Sequence, residues 1–282
     1  MSSPPPERGA YGFRLRGVDE ARELLVDAPA HWPALELRWR VDAGPLPARE
    51  LVSEQRAELL LNAGGWVAIE RASGRADYAL PQDVSPGALV HPHLAPAAAI
   101  MSRWLGRESF HGGAVAIGDG AWAVLGDKEA GKSSTLAWLA LAGHPVLADD
   151  LVVLADGRAL AGPRSIDLRE ASAAQLRVGE PLGRIGLRDR WRLRLPAPPP
   201  ALPLSGWIVL AWGDGAPSLR ALRGAARLEA ILPHRAVRLI PADPATLVRL
   251  SALPCYELRR RRAWSSLPDA AELLVESLSG GV

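Results

Sequence analysis

The sequence is short of cysteine and of long apolar runs. Its single cysteine, Cys255, excludes a disulfide within the chain. No apolar stretch reaches the length that a membrane span requires, and no basic-then-apolar leader follows Met1. We therefore expect a soluble cytoplasmic protein that does not bind membranes.

A strong excess of charge of one sign is also missing. The net charge is only +2, although the arginine content raises the pI to about 9.0. This balance predicts no strong electrostatic field for nucleic acid, so we expect no nucleic-acid partner. The length of 282 residues, 48% of them hydrophobic, is sufficient for a real core in one large or two modest domains.

Lysine is scarcer still, and its two occurrences are informative. Lys128 and Lys132 lie in one stretch that satisfies the pattern G-x-x-x-x-G-K-[ST], and every other basic position is arginine. In that pattern backbone N–H groups meet a triphosphate, Lys132 supplies a compact charge for the β- and γ-phosphates, and Ser133 supplies a hydroxyl for Mg²⁺. The residues predicted to contact the nucleotide are Gly126, Asp127, Lys128, Glu129, Ala130, Gly131, Lys132, Ser133 and Ser134.

The sequence around this loop supports the interpretation. An apolar run at 121–125 predicts a buried strand, and 134–142 predicts a helix that Gly143 ends. The alternative is a strand-to-helix turn without a ligand, which the strand–loop–helix context disfavours. If position 129 requires a positive φ, Glu129 is strained there.

Two adjacent carboxylates follow the next predicted strand. Residues 144–148 form a short apolar run, and Asp149 and Asp150 come directly after it. Ligands of α/β sheets bind where such strands end, so these side chains are candidates for magnesium binding and for accepting a proton from an attacking hydroxyl. The alternative is a simple strand-to-loop turn.

The remainder of the chain divides into regions of different composition. We predict disorder over 1–10, a small β-rich domain over 11–90 and the loop-containing domain over 91–282. Leu35, Leu37, Trp39 and Val41 alternate with charged residues and predict a half-buried strand. Two further strands flank a predicted hairpin turn at 62–65.

Histidines and arginines supply the other candidates. His91 and His93 form an H-x-H pair with no third ligand nearby, for which a solvated loop is favoured over a metal site. Alternation over 190–195 predicts a strand with an arginine row on one face, and the row is either solvated or in contact with a nucleotide or acidic peptide. We take 259–262 as a wet surface and 196–203 as a stiff linker. The candidate phosphate or substrate contacts are Arg184, Arg188 and Arg190.

The order and spacing of these motifs resemble those of the HPr kinase/phosphorylase core. The similarity includes His111-Gly112, the loop, Gly143-His144 and the strand ending at Asp149-Asp150. It is closest to HPr-kinase-like proteins of bacterial peptide-modification clusters, including lasso-peptide precursor kinases, which often have a small β-rich region before the core. The resemblance implies an α/β fold with a P-loop, with ATP and Mg²⁺ as cofactors and a peptide or protein hydroxyl as acceptor.

The resemblance also implies individual roles. Asp149 would be the catalytic base, Lys132 would act on the phosphates, and His111 would lie beside the transferred phosphoryl group. Ser133 and Asp150 would hold the metal.

Two other functions remain open. The chain could be a nucleotide-driven ATPase or switch, or a non-catalytic peptide binder, which Glu129 would suggest. A GTPase is disfavoured because the guanine-binding Asn-Lys-x-Asp motif needs a lysine outside the loop. The sequence leaves the identity of the acceptor and the formation of a homo-oligomer undetermined.

Overall fold

The computed structural model describes residues 6–42, 44–62, 64–185 and 188–279. Eight strands from the first 80 residues form one sheet, in the order β3-β1-β2-β4-β8-β7-β6-β5. Their bounds are β1 Arg8–Ala10, β2 Phe13–Arg16, β3 Val26–Asp27, β4 Ala34–Val41, β5 Leu51–Val52, β6 Arg56–Leu60, β7 Trp66–Glu70 and β8 Arg75–Leu80. A 3₁₀ helix, Asp19–Leu24, lies between β2 and β3.

Two sequence predictions are tested by this sheet. The predicted strand is present as β4, and its alternation is confirmed at Leu35 and Leu37, which are buried, but it is wrong at Val41, which is 57% exposed at the end of the strand. The prediction of disorder over 1–10 is wrong for residues 8–10. Arg8–Ala10 form β1, which pairs with β2 and β3 and buries Ala10; residues 1–5 lie outside the described chain.

A helical segment connects the first sheet to the second. It consists of α1 (Pro86–Ala88), a π-helical turn (Leu89–His93) and α2 (Leu94–Trp104). The prediction of a solvated loop here is wrong, since His91 and His93 are 4% and 5% exposed. Apolar neighbours from the first sheet and α2 cover this segment, which a local proline-rich pattern does not indicate.

The second sheet is the central one, and the glycine loop, defined as residues 126–131, follows one of its strands. The strands of this sheet lie in the order β12-β10-β11-β18-β14-β13-β9, with β20 beside β18 and β19 beside β20. The strands are β9 Glu108–His111, β10 Gly113–Ile117, β11 Gly120–Leu125, β12 Val146–Ala148, β13 Leu151–Ala155, β14 Arg158–Leu160, β18 Ala201–Trp212, β19 Ser218–Ala221 and β20 Cys255–Arg260. Strand β18 includes 201–203, so the predicted stiff linker over 196–203 is wrong at its end.

A three-stranded sheet and the remaining helices cover the central sheet. Strands β15 (Ser165–Leu168), β16 (Glu180–Ile185) and β17 (Arg188–Arg194) pair in the order β15-β17-β16. The helices are α3 Lys132–Leu141, α4 Glu170–Leu176, α5 Ala225–Ile231, α6 Pro244–Ala252 and α7 Leu267–Ser279, with 3₁₀ turns at Leu232–His234 and Trp264–Ser266. The architecture is mixed α/β, and within the described part of the chain no helix is long and apolar enough to span a bilayer.

Apolar clusters fill the space on either side of the central sheet. One joins β11 and α3 to α7, and another packs Phe110 edge-on against Trp207 with ring centroids 4.9 Å apart. A third cluster extends from the first sheet through α2 to Ala148 and Leu151, which flank the acidic pair. The domain boundary near residue 90 stays a prediction, but apolar contacts cross it at this point.

Candidate functional site

Four strands of the central sheet end at the same edge. Strand β18 pairs in parallel with β11 on one side and with β20 on the other, and β12 has the same direction as β11 because each is antiparallel to β10. The carboxyl ends of these strands therefore bring together the glycine loop, Asp149 and Asp150, Trp212, and Arg260. The meeting of parallel strand ends is where α/β sheets bind ligands.

The glycine loop connects β11 directly to α3, as the sequence predicts. Gly126 and Gly131 have φ values of 150° and 92°, and α3 begins at Lys132. A side chain at Gly131 would bring its Cβ within 2.8 Å of the Arg260 guanidinium, so both backbone geometry and space require glycine there. Glu129 has a φ of 70°, so the predicted strain is present.

Lys132 folds back onto the loop. Its Nζ donates to the carbonyl oxygens of Gly126 at 2.8 Å and Asp127 at 3.1 Å. Burial lowers the pKa of this ammonium group, and the nearby carboxylates of Asp150 and Asp149 oppose the shift. The charge is held inside the loop, where a bound polyphosphate would lie.

Asp149 is buried beside the first turn of α3. Its side chain accepts a hydrogen bond from Ser133 Oγ at 3.1 Å, and its backbone carbonyl accepts one from the Tyr11 hydroxyl at 3.2 Å. Burial and then the charge of Asp150 raise the pKa of the Asp149 carboxyl to about 8, despite the opposing Ser133 hydrogen bond and Lys132 charge. A carboxyl group with this pKa is a stronger base than an ordinary aspartate.

Asp150 and His111 form the more exposed part of the site. Asp150 has a φ of 92°, a conformation that aspartate tolerates better than most residues. His111 Nδ1 lies 3.0 Å from the Asp150 carbonyl oxygen and 3.4 Å from its carboxylate. The structure thus brings together the sequence candidates Lys132, Ser133, Asp149, Asp150 and His111.

The oxygen donors here fit a magnesium ion. The hydroxyl of Ser133 and the carboxylate of Asp149 are 3.1 Å apart, and Asp150 is adjacent in sequence and 41% exposed at its side chain. Mg²⁺ prefers oxygen ligands and usually completes its shell with phosphate oxygens and water. Among the described residues no cluster of three or more His, Cys, Asp or Glu side chains could hold a metal without such help.

Arginines from two segments of the chain, one just before α4 and one at the end of β20, surround the loop. Arg169 and Arg262 form ion pairs with Glu129 at 2.9 Å and 3.5 Å. The guanidinium of Arg260 stacks over the Trp212 ring, 4.5 Å from its centroid, and is only 6% exposed. The expectation of a wet surface over 259–262 is therefore wrong at Arg260, because β20 is an interior strand of the sheet.

The predicted arginine row on β17 has mixed environments. Arg188 and Arg190 line the cleft above the loop, whereas Arg184 on β16 does not contribute to its lining. Arg192 points into the protein and pairs with Asp167 through two 2.8 Å hydrogen bonds. Both interpretations of the row, a solvated face and a contact with a nucleotide or acidic peptide, are therefore wrong at Arg192, which is buried in a structural ion pair.

The site opens into a cleft of about 1290 Å³. Its lining combines the glycine loop with segments 233–239 and 260–264 and with β5 and β6 of the first sheet. Tyr11 and these strands show that the first sheet contributes to the surroundings of the site. The contact between Tyr11 and Asp149 was not predicted, because no local pattern indicates contacts over 138 residues.

Comparisons with known proteins give limited information. No protein-family model and no curated protein matches the chain. Among solved structures the chain is similar to the Hpr(Ser) kinase/phosphatase from Coxiella burnetii, with 11% sequence identity, coverage of 61% of this chain and 97% of that chain, and a TM-score of 0.30. This is a distant similarity of fold, and it assigns no role to any residue here.

Proposed function

We propose that this chain is an ATP-dependent kinase that transfers the γ-phosphoryl group to a serine or another hydroxyl of a peptide or protein. The observation that carries the proposal is the 3.1 Å contact between Ser133 and the buried Asp149, beside an amine held inside a glycine loop. Phosphoryl transfer depends on positioning and charge stabilisation more than on covalent chemistry, and this arrangement supplies both.

Each residue has a defined task in this proposal. Lys132 exchanges its two loop carbonyls for the β- and γ-phosphates of ATP, and loop N–H groups bind the same oxygens. Ser133 and Asp150 would hold Mg²⁺, which when bound neutralises charge on the phosphates. His111, which contacts Asp150, would lie beside the transferred phosphoryl group on the more exposed side of the site.

Asp149 accepts the proton of the attacking hydroxyl. The O–H bond of the acceptor breaks as its oxygen bonds to the γ-phosphorus, and the proton moves to the Asp149 carboxylate while ADP leaves. A pKa near 8 makes the ionised form of this carboxyl a stronger proton acceptor than an ordinary aspartate, and the ionised fraction grows as the pH rises toward 8. Arg184, Arg188 and Arg190 remain candidates for phosphate or substrate contacts, of which Arg188 and Arg190 line the cleft.

The experiment is a transfer assay on the full chain. The protein is incubated with MgATP and a panel of serine-containing peptides, and mass spectrometry of the peptides shows whether each has gained one phosphoryl group. ATP hydrolysis without peptide phosphate would favour an ATPase or switch. Nucleotide binding with neither reaction would favour a non-catalytic binder.

A matched pair of variants tests the base. Asp149→Asn should lower the transfer rate by about 10²–10⁴-fold because it removes the proton acceptor while keeping the shape of the side chain. Nucleotide binding should persist. Asp119→Asn, in an exposed hairpin turn, is the control and should transfer normally; transfer by Asp149→Asn at the control's rate would exclude Asp149 as the base.

A further inference from the structure

The walls of the cleft carry a surplus of positive charge. Among the described residues that line it, nine are lysine or arginine and four are aspartate or glutamate. In the proposed function a nucleotide engages Lys132 at the start of α3, but most of these cations lie elsewhere on the cleft wall. Their charge is met either by internal partners or by an anionic ligand that extends beyond the nucleotide.

Internal contacts account for most of the cations outside the loop. Glu129 neutralises two arginines, Glu108 pairs with Arg235 at 3.3 Å, and Arg260 stacks on Trp212. Arg190 donates to the backbone carbonyl of Asp167 at 3.5 Å. These groups have structural partners that can explain their positions.

Among the described residues, two cations of the cleft, Lys128 and Arg188, have neither an ion pair nor a side-chain hydrogen bond, and a third, Arg238, has no ion pair. Within the described ranges Arg238 donates only to the backbone carbonyl of Pro233. Lys128 and Arg238 are exposed and Arg188 is half-buried. Cations without a carboxylate partner on the walls of one cleft are available to attract an anionic ligand.

The two arginines among these cations belong to separate segments of the chain. Arg188 is the first residue of β17, and Arg238 lies in the segment 233–239; both segments line the cleft together with the loop. A single ligand that meets both arginines must therefore reach two separate segments of the cleft wall.

The cleft also has room and apolar surface for such a ligand. Its volume of about 1290 Å³ exceeds the 300–1,000 Å³ that is typical of small-molecule pockets. Val52 and Leu59 line the wall that the first sheet provides, and Leu239, 65% exposed, lies on the opposite segment. Apolar walls with separated cations fit an extended chain better than a second small ion.

We propose that the acceptor is an acidic peptide whose hydroxyl is flanked by aspartate or glutamate side chains, which bind Lys128, Arg188 and Arg238. This inference rests on the proposed kinase function, since it names the chemistry of the acceptor for the same site. The carboxylates on either side of the hydroxyl direct it over the loop toward Asp149.

A direct binding measurement tests the preference for an acidic peptide without requiring phosphoryl transfer. A fluorescein-labelled peptide containing one serine among aspartates and glutamates is compared, by fluorescence anisotropy, with a twin in which these are asparagine and glutamine. In the presence of a non-hydrolysable ATP analogue and Mg²⁺ the acidic peptide should bind at least about fivefold tighter at low salt, with the advantage shrinking at high salt. Equal binding of the twins would overturn the inference and leave the kinase function to the transfer assay.

Substitutions of the cleft arginines test which residues produce the preference for the acidic peptide. Arg188→Gln combined with Arg238→Gln should remove most of the preference for the acidic peptide, whereas Arg223→Gln, an exposed arginine outside the cleft lining, should keep it. A preference that survives in the double variant, or disappears when the nucleotide analogue is bound, would overturn the assignment of these residues. Stronger displacement by a short single-stranded oligonucleotide than by the unlabelled acidic peptide would also overturn it. An acidic peptide that binds as expected but is never phosphorylated would instead contradict the kinase function.

Discussion

Two buried aspartates near the cleft have opposite surroundings. Asp167 is 5% exposed and receives two hydrogen bonds from Arg192, which also donates to the carbonyls of Gly87 and His91. Asp149 is 4% exposed and receives a side-chain hydrogen bond only from Ser133, with no cation at ion-pair distance among the described residues. A buried charge that is fully paired stabilises one geometry, whereas a buried carboxyl with a single neutral partner is available for chemistry.

The comparison is tested most strongly by separating the paired aspartate from its arginine. Arg192→Met should lower the free energy of unfolding by about 3–5 kcal/mol, because it leaves the Asp167 carboxylate buried without a partner. Urea denaturation measures this loss. The double variant Asp167→Leu with Arg192→Met should recover a large part of it, since no unpaired charge remains.

Asp149→Asn should behave in the opposite way in the same assay. It should not destabilise the protein at neutral pH, because the replaced carboxyl has no ionic partner to lose. Destabilisation as large as that of Arg192→Met would remove the distinction between the two aspartates.

The pH dependence of unfolding gives a second test. An unfolded aspartate has a pKa near 3.9, and the folded Asp149 carboxyl has a pKa of about 8, so the folded state retains this proton more tightly between these values. The resulting stabilisation is fully present below about pH 4 and is lost as the pH rises through 8. Because asparagine cannot ionise, Asp149→Asn should gain stability relative to the natural protein between pH 5 and pH 8, by on the order of 4 kcal/mol.

Thermal or urea unfolding at several pH values measures this gain. Asp119→Asn serves as the control, since its carboxylate is exposed. A constant difference between Asp149→Asn and the natural protein across this range would show that the Asp149 proton is not held as the structure indicates.

The two aspartates also differ in how well the sequence predicts them. Asp149 follows a short strand that comes after the glycine loop in the sequence, and the strand β11 and the helix α3 on either side of that loop were predicted from neighbouring residues. The strain at Glu129 was predicted only on the condition that its φ is positive, and the φ of 70° meets that condition. Asp167 and Arg192 are 25 residues apart, and their pairing depends on the register of β15 with β17. Alternation predicts which residues share a face, but it cannot distinguish a face that meets solvent from one that meets another element.

The same reason explains the other errors. His91 and His93 lie in a proline-rich segment that favours a surface loop, but the first sheet packs over it. Arg260 belongs to a run of four arginines, and only the position of β20 inside the sheet makes one of them buried. Tyr11 reaches Asp149 from the far end of the chain. Tertiary burial decides each case, and it is not encoded in the adjacent residues.

The smallest expected effect is that of substitutions at Glu129. This carboxylate lies close to the site, as Asp149 does, but it is paired with arginines, as Asp167 is. Arg169 and Arg262 hold the Glu129 carboxylate, and the φ of 70° at this residue is strained for a side chain. Glu129→Gln removes the charge and keeps the strain, whereas Glu129→Gly removes both. We expect both variants to bind MgATP several-fold tighter, because the two arginines become available to the phosphates and a nearby negative charge is lost.

Calorimetric titration of nucleotide and thermal unfolding separate the two contributions of Glu129. Relief of strain should raise the unfolding temperature in Glu129→Gly alone, whereas the gain in affinity should appear in both variants. Weaker nucleotide binding in Glu129→Gln would mean that the carboxylate positions Arg169 and Arg262 for the phosphates. Glu129 would then resemble the paired Asp167, because its role would be to fix the geometry of its arginine partners. The positive charge of Arg169 and Arg262 would in that case not be available to a ligand.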